Sequence, residues 1–335
     1  MIQRRHVRMA AAFAKHAWRP IHPFEVQAAL LNACNLACVY CRCPEIRTKV
    51  LSTETWVEIV RGLARHGTLR IKFQGGEPTI YPGLRRVSDA AREAGIQTAV
   101  VTNGIRIHED PTLLDHLDEI VVSVDSLAPE HHEATRGQGS HAAALGALEA
   151  ARERGMPAYV VMVMTRKNVG ELESLLAWCE ARGIGFHAQP LIFGRPPYDE
   201  GAREMALQEP ELAEIHRRMA AWRRAGRPLM FSAATYERAA RWPTHDVLTV
   251  PSEGESSCMA GRSYVHIEPN GDVWPCGQHG DTGFVARNLV SDGLEAALRN
   301  AAHHRCGDCY SAYLNERKAV FGLRPDALLQ LVRRG

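Results

Sequence analysis

The chain has 335 residues, of which 45% are hydrophobic and 23% are charged, and its net charge at pH 7 is +2. This length allows one large domain, or a large and a small one, with the composition of an ordinary globular protein. The near balance of charges gives no argument for a nucleic-acid partner, and no run of about 18 apolar residues could span a membrane. Without a signal-peptide core, we expect a cytoplasmic location.

In chain order, the sequence begins with a basic segment, residues 1–23, that predicts an N-terminal helix or extension. From residue 24 to 190, short β-rich runs alternate with helical patterns. The predicted strands are 24–31, 69–73, 97–102, 119–123, 158–164 and 185–190. The predicted helices are 53–66, 84–94, 111–117, 141–154 and 169–182. Because strands that alternate with helices form parallel βαβ units, we predict an α/β fold containing a partial (β/α)6, TIM-like barrel.

Residues 191–210 interrupt this alternation with several glycines and prolines, and predict a linker or lid-like loop. A helix is expected over 211–224, followed by irregular chain over 226–256. Residues 257–335 are predicted to form a small cysteine-rich extension. Within it, Asn270 and Gly271 indicate a hairpin turn, and residues 294–302 indicate a short helix.

Eight of the nine cysteines fall into two groups, and these groups are the main chemical signal. Short spacings in a chain without a secretion signal favour metal sites over disulfides. The first group consists of Cys34, Cys38, Cys41 and Cys43, and its first three cysteines directly follow the first predicted strand in a C-x3-C-x2-C pattern. Iron–sulfur clusters are usually held by four cysteine thiolates, so three would leave one iron open to a substrate or cofactor. The second group consists of Cys258, Cys276, Cys306 and Cys309.

Zinc is the alternative metal for both groups. Structural zinc takes four closed ligands, and Cys43 could supply a fourth thiolate to the first group. C-x-C beside C-x2-C is, however, cramped for a single tetrahedron. The spacing of the second group also permits a small structural zinc knot. Cys179, in a predicted helix beside Trp178, is interpreted as a buried and inert thiol.

A second motif, Gly75-Gly76-Glu77-Pro78, directly follows the second predicted strand. Paired glycines let the backbone approach a ligand closely, and Glu77 could accept a hydrogen bond from an ammonium group. Active sites of parallel α/β folds lie at the carboxyl ends of the strands. Both motifs therefore stand where chemistry is expected.

The two motifs together, with Tyr40 just before the third cysteine, resemble the radical S-adenosylmethionine (SAM) enzymes. The resemblance implies that Cys34, Cys38 and Cys41 hold a SAM-binding [4Fe-4S] cluster, and that Gly75–Pro78 meets the SAM amino group. Polar residues that end the third and fourth strands are implied as further contacts, although Asp125 could merely cap the next element. Arg136 could bind a carboxylate or form a loop ion pair. The implied cofactor-binding residues are Tyr40, Gly75, Gly76, Glu77, Pro78, Asn103, Ser123 and Asp125.

The C-terminal cysteines around the predicted hairpin resemble the auxiliary-cluster extensions called SPASM and twitch domains. A full SPASM domain has seven cysteines, whereas this group has four. The shorter twitch-like form, with one auxiliary [4Fe-4S] cluster, is therefore the better match. The implied domain division is 1–23, 24–190, 191–256 and 257–335.

The resemblance implies an enzyme that reductively cleaves SAM to a 5′-deoxyadenosyl radical, which abstracts hydrogen from a substrate C–H bond. An electron donor such as flavodoxin or ferredoxin is implied, and the auxiliary cluster suits dehydrogenation, crosslinking or epimerisation. With no peptide-leader recognition segment before residue 24, we expect a small-molecule or carbohydrate substrate. The alternatives are a maturase of a ribosomal peptide and, in another class, a non-catalytic zinc-binding regulator on a barrel scaffold. No catalytic residue is assigned, although Cys43 could donate a hydrogen atom.

Overall fold

The computed structural model describes residues 23–191, 193, 199–242, 244, 249–251, 258–277, 283–304 and 306–328. The predicted basic N-terminal segment lies outside these ranges apart from Pro23, and so do residues 192 and 194–198 of the loop predicted over 191–210. The strands are β1 (Glu25–Leu31), β2 (Arg70–Gly75), β3 (Gln97–Thr102), β4 (Glu119–Ser123), β5 (Ala158–Met164), β6 (Gly185–Pro190), β7 (Thr249–Pro251), β8 (Tyr264–Ile267), β9 (Asp272–Trp274), β10 (Arg287–Asn288) and β11 (Cys306–Cys309).

The α-helices of the described ranges lie mainly between these strands. They are α1 (Thr53–His66), α2 (Leu84–Glu93), α3 (Ile105–Glu109), α4 (Pro129–Arg136), α5 (Ser140–Glu153), α6 (Leu172–Glu180), α7 (Glu209–Arg224), α8 (Ala233–Ala240), α9 (Leu294–Ala302) and α10 (Ala312–Phe321). Short 3-10 turns are formed by Cys43–Glu45, Pro78–Ile80, Pro111–His116, Val169–Glu171 and Glu200–Met205.

One sheet of nine strands organises the fold, in the order β10-β9-β8-β1-β2-β3-β4-β5-β6. Strands β1 to β6 are parallel neighbours in chain order, which confirms the predicted partial barrel. On the free side of β1, strand β8 also runs parallel to it, with Glu25 opposite Tyr264. The antiparallel hairpin of β8 and β9 therefore extends the barrel sheet rather than forming a separate layer. The proposed domain boundary at residue 257 stays a prediction.

Helix α1 illustrates how local sequence defines these elements. The Ser52 hydroxyl accepts a hydrogen bond from the Thr55 amide at 3.2 Å, which caps the first turn. Gly67 ends the helix in the left-handed region at φ 92°, a conformation that favours glycine. The buried face, which includes Trp56 and Leu63, packs in the main core with the strands. These local signals are why the predicted bounds of α1 match the structure.

The irregular chain predicted over 226–256 is wrong in part, because α8 and β7 form there. The Glu316 carboxylate on α10 accepts hydrogen bonds from the Ser232 amide at 2.9 Å and the Ser232 hydroxyl at 2.7 Å, at the start of α8. Strand β7 pairs with β11, more than fifty residues later in the chain. Both elements depend on distant partners, which a local pattern does not reveal.

Other differences concern helix type and three helices that the sequence did not predict, α3, α4 and α10. The helix predicted at 111–117 is a 3-10 turn, and the one at 169–182 divides into a 3-10 turn and α6. Helix α10 has no clear apolar face in its sequence, because its buried positions include the polar residues Asn315, Glu316 and Arg317. In the part of the chain that the structure describes, no helix is both long enough and apolar enough to cross a membrane.

Candidate active site

A cavity of about 720 Å³ lies at the carboxyl ends of β1 to β4 and continues into the barrel. Its outer wall is formed by the loops that follow β1, β2 and β3, and its inner wall by side chains within the strands. Most of the cofactor-site residues predicted from the sequence line it together: Cys34, Cys38, Tyr40, Cys41, Gly75, Gly76, Glu77, Asn103 and Ser123. Pro78 and Asp125 do not line it.

The loop after β1 presents the three clustered cysteines to this cavity, each partly exposed. The Leu36 amide lies 3.4 Å from the Cys34 sulfur and the Cys43 amide 3.5 Å from the Cys41 sulfur, both as donors. Such donors favour a thiolate, the form that binds metal. Burial raises the pKa of Cys34 to about 11, so that bound iron would be needed to keep it ionised at neutral pH. The donor set therefore fits a three-cysteine iron–sulfur cluster.

The glycine pair at the end of β2 has a use beyond ligand approach. A Cβ on Gly75, whose φ is +130°, would lie 2.1 Å from the Leu31 carbonyl oxygen. On Gly76 it would lie 2.1 Å from the Ala33 oxygen. The Gly76 amide donates to the Leu31 oxygen at 2.7 Å. The glycines therefore let the cysteine loop pack directly on the end of β2, and they also face the cavity.

Glu77 is buried, and its carboxylate joins the ends of β2 and β3. One oxygen accepts from the Thr79 amide at 3.0 Å and the Thr102 hydroxyl at 2.8 Å, and the other accepts from the Asn103 amide at 2.8 Å. Burial raises the pKa of Glu77, although these hydrogen bonds act in the opposite direction. The carboxylate thus positions Asn103. The side-chain amide of Asn103 donates to the side-chain oxygen of Asn35 at 2.8 Å. Contact of Glu77 with the SAM amino group stays a prediction.

Asp125 lies behind the cysteine loop rather than on the cavity surface. Its oxygens accept hydrogen bonds from the Tyr40 hydroxyl at 2.7 Å, the Arg136 guanidinium at 2.8 and 3.0 Å, and the Val163 amide at 2.9 Å. Burial would raise the pKa of Asp125, but Arg136 and the hydrogen bonds hold it below its usual value. Of the two roles considered for Arg136, the structure contains the loop ion pair. A direct SAM contact by Asp125 stays a prediction without support from this geometry.

The C-terminal cysteines are all buried and share one small cluster with Ala260, Tyr264 and Leu314. Cys306 and Cys309 lie on β11, while Cys258 and Cys276 flank strands β8 and β9. A hydrogen bond between the Cys258 and Cys306 sulfurs lowers the pKa of Cys258 to about 7. The sulfurs of Cys258 and Cys306 are therefore in contact, and Cys276 and Cys309 belong to the same buried cluster. Tyr264 belongs to this cluster and also lines the cavity.

The two remaining cysteines lie in different surroundings. Cys43 is buried, lines the cavity and has its sulfur 3.8 Å from the Asn32 side-chain oxygen. Its suggested hydrogen-atom donation stays a prediction. Cys179 lies in the main apolar core, where burial raises its pKa to about 12. It has no route to the cavity wall in the described structure.

Comparison with known proteins finds a family match over part of the chain. Residues 29–179 match the family model described as "Radical SAM superfamily". The chain contains a radical SAM domain. The sequence is 29% identical over 304 residues to mycofactocin maturase MftC of Mycobacterium ulcerans, covering 84% of this chain and 78% of that protein. It is 28% identical over 271 residues to the PqqA peptide cyclase of Gluconobacter oxydans, covering 77% of this chain and 71% of that protein.

The fold is also similar to that of a solved structure. SuiB of Streptococcus suis, bound to S-adenosylmethionine, superposes with a TM-score of 0.64 at 19% identity and covers 84% of this chain and 67% of its own. The predictions of a radical SAM enzyme with a partial barrel are thereby confirmed, as are its cofactors: SAM, a SAM-binding [4Fe-4S] cluster and an auxiliary [4Fe-4S] cluster. Which cysteines ligate each cluster stays a residue-level prediction.

Sequence analysis did not recognise several charged residues of the barrel interior. The central strands β1 and β2 carry three charged side chains that are buried or only partly exposed: Glu25, Arg70 and Lys72. The available signal was the pattern Arg70-Ile71-Lys72-Phe73, with charges at alternate positions of a predicted strand. Alternate residues of a strand share one face, so the pattern indicated a polar barrel interior.

Proposed function

We propose that this protein is a radical SAM maturase that modifies a ribosomally made peptide. The main support is the extent of its similarity to MftC and the PqqA cyclase, which reaches well past residues 29–179 and covers 84% and 77% of the chain. These relatives favour the peptide alternative over the small-molecule or carbohydrate substrate expected from the sequence. The match to the radical SAM superfamily also favours an enzyme over the alternative of a zinc-binding regulator.

In this proposal one group of cysteines lines the cavity, and the other lies behind Tyr264, which lines it. Cys34, Cys38 and Cys41 would hold the first cluster, and the four C-terminal cysteines would hold the auxiliary cluster. When bound, SAM and the first cluster supply a primary carbon radical that removes hydrogen from a substrate C–H bond. The protein's part is to position the substrate and exclude solvent. Val101, Val121 and Val161 provide an apolar wall for this purpose.

The position of Tyr264 is the other part of the proposal. Tyr264 contacts the C-terminal cysteine cluster and lines the cavity, and its ring lies 5.4 Å from that of Tyr313. A substrate held against these rings would be separated from the C-terminal cysteines by the Tyr264 side chain, and a cluster held by those cysteines would supply an electron acceptor. This placement favours net oxidation of the substrate, such as a crosslink, over a redox-neutral change.

Anaerobic reconstitution with iron and sulfide tests the two cluster assignments. We expect about eight irons per chain from two four-iron clusters. Cys38→Ala should lose about half of this iron and all reductive SAM cleavage. Cys309→Ala should also lose about half but retain SAM cleavage, whereas the core variant Cys179→Ala should match the wild type. Undiminished SAM cleavage by Cys38→Ala would refute the first assignment.

Incubation with peptides encoded beside the gene tests the substrate. The reconstituted enzyme, SAM and a reductant should yield a peptide product that has lost hydrogen, visible by mass spectrometry, and Cys309→Ala should yield none. Turnover of a metabolite or sugar without change to any such peptide would instead restore the small-molecule interpretation.

A further inference from the structure

Lys72 is a buried cation that faces the cavity and has no anionic partner. It lies on β2, lines the cavity and is only 7% exposed. Its ammonium group lies 4.5 Å from the centroid of the Tyr313 ring. Among the described residues, no carboxylate oxygen lies within 4.0 Å of it and no hydrogen bond is made to it. A cation–π contact of this kind is worth about 0.5–2 kcal/mol, less than the cost of burying an ammonium.

The neighbouring charges are already paired with one another. Glu119 accepts a short hydrogen bond from Arg70, and Glu25 accepts short hydrogen bonds from Arg317 and the Tyr313 hydroxyl. Arg70 also lies 3.8 Å from Glu25. Both glutamates are therefore paired with arginines, and in the described structure neither forms an ion pair with Lys72.

Burial lowers the pKa of Lys72 to about 8, with Arg70 and Arg317 acting in the same direction and Glu25 and Glu119 against it. The ammonium form still predominates at pH 7 but is less favoured here than in water. An anion that entered the cavity would restore the interaction that burial removes. Lys72 is therefore a position in the cavity where a bound anion would be stabilised.

A second donor stands beside it. Gln27 lies directly opposite Lys72 in the register of β1 and β2, and both side chains line the cavity. The Gln27 side-chain oxygen accepts from the Tyr264 hydroxyl, which orients its NH2 group as a free donor. An ammonium and an amide NH2 on neighbouring strands match the two oxygens of a carboxylate.

The position differs from that of the cofactor. Lys72 precedes Gly75 by three residues, or about 10 Å along the strand at 3.3 Å per residue. It therefore lies deeper in the barrel than the Gly75–Glu77 segment and the cysteine loop. A peptide residue anchored here would place positions up to about three residues away at the level of that loop.

We propose that Lys72, with Gln27, binds a carboxylate of the substrate at the inner end of the cavity. The inference rests on the proposed function, since the carboxylate belongs to a peptide. It is either the side chain of an Asp or Glu residue or the C-terminal carboxylate of the chain. The site selects an acidic position in the peptide and sets its distance from the residue that is modified.

The test uses the anaerobically reconstituted enzyme with SAM bound, at constant ionic strength. N-acetylglutamate N-methylamide presents only a side-chain carboxylate, and N-acetylglycylglycine presents only a terminal one. Their neutral counterparts are the corresponding glutamine and amide compounds. A ligand that binds the native state raises Tm in a concentration-dependent way. We expect one acidic probe to raise Tm while its neutral counterpart does not, and the responding probe identifies the source of the carboxylate.

Variants then assign the binding to Lys72. Lys72→Met should bind the acidic probe at least tenfold more weakly and Lys72→Arg should retain part of the affinity. The exposed Lys167→Met is the matched control and should behave as the wild type. Lys72→Met removes an unpaired buried charge, so we expect it to fold. Should it not fold, Gln27→Glu keeps the acceptor for Tyr264 and places a competing carboxylate beside Lys72, so acidic probes should no longer bind.

Equal binding of acidic and neutral probes by the wild type, or undiminished binding by Lys72→Met or Gln27→Glu, would overturn the proposal. Peptide modification with an unchanged KM in Lys72→Met would remove the carboxylate site while leaving the maturase function intact. Binding of an acidic probe without modification of any peptide would instead support the carboxylate site and contradict the maturase function.

Discussion

Asp125 and Arg136 form a buried bidentate ion pair behind the cysteine loop, with nitrogen–oxygen distances of 2.8 and 3.0 Å. The Arg136 carbonyl oxygen lies 3.9 Å from the Cys38 sulfur, and the Thr135 oxygen accepts from the Val39 amide at 2.9 Å. The pair therefore holds in place the segment against which the middle cysteine of the loop packs. Its contribution to the site is structural support for the cluster ligands.

Asp125→Asn should leave the buried guanidinium of Arg136 without its counter-charge. Breaking a buried ion pair on one side costs about 3–5 kcal/mol, and we expect that decrease in the free energy of unfolding in urea. Iron incorporation at the first cluster should fall as well. Glu214→Gln, which removes an exposed pair with Arg217, is the control and should change little. An Asp125→Asn protein as stable as the wild type would show that the pair has no such role.

The dependence of the free energy of unfolding on acidic pH should reveal the contribution of ionised Glu25. Burial would raise the pKa of Glu25, but Arg317, Arg70 and Lys72 lower it to about 2. A carboxylate with a lowered pKa in the folded state stabilises fully above its unfolded pKa of about 4.3, and the contribution is lost as the pH falls toward the folded pKa. Glu25→Gln should therefore destabilise the protein by about 3–5 kcal/mol at pH 7.

The difference between wild type and Glu25→Gln should shrink between about pH 4.3 and pH 2, because the wild-type carboxylate becomes protonated over that range. Urea unfolding at a series of pH values measures it. Exposed Glu54, paired with Arg86, provides the comparison, and Glu54→Gln should show only a small and nearly constant difference. A constant gap for Glu25→Gln down to pH 2 would contradict the assignment.

Gly76→Ala should disturb the cysteine loop through crowding alone. The added Cβ would meet the Ala33 and Asn32 carbonyl oxygens at 2.1 and 2.3 Å, and backbone atoms cannot rotate away. We expect a loss of about 1–3 kcal/mol in the free energy of unfolding and reduced iron in the first cluster. Gly170→Ala has nothing within 4 Å of its added Cβ and should change neither. Normal iron content in Gly76→Ala would mean that the loop can shift without cost.

Tyr40→Phe separates the two roles of this aromatic residue. Its hydroxyl is engaged by Asp125 at 2.7 Å, so removal should cost about 1 kcal/mol of stability. The ring would remain beside the cavity, and the affinity for SAM, measured by equilibrium binding to the reconstituted enzyme, should stay within about twofold of wild type. A large loss of SAM affinity would instead show that the hydroxyl itself is needed by the cofactor.

The sequence by itself determined the elements and motifs whose signals are local. Cys34, Cys38 and Cys41 lie within eight residues, and Gly75–Pro78 directly follows its strand, so spacing alone identified them. The bounds of β3 to β6 and α1 also agree with the structure, because alternation and capping act over a few residues. The cofactors followed from these motifs.

Tertiary structure decided the rest, because the interactions concerned join residues far apart in the chain. Asp125 follows a strand end as a cofactor ligand would, yet its oxygens are taken by Tyr40, Arg136 and Val163. Helix α8 needs Glu316, some eighty residues later, to accept from its first turn. Lys72 resembles any strand lysine until Glu25 and Glu119 are found paired with arginines from elsewhere in the fold. Long-range pairing has no local sequence pattern, which is why the sequence could predict the cofactor ligands and only the fold revealed what packs behind them.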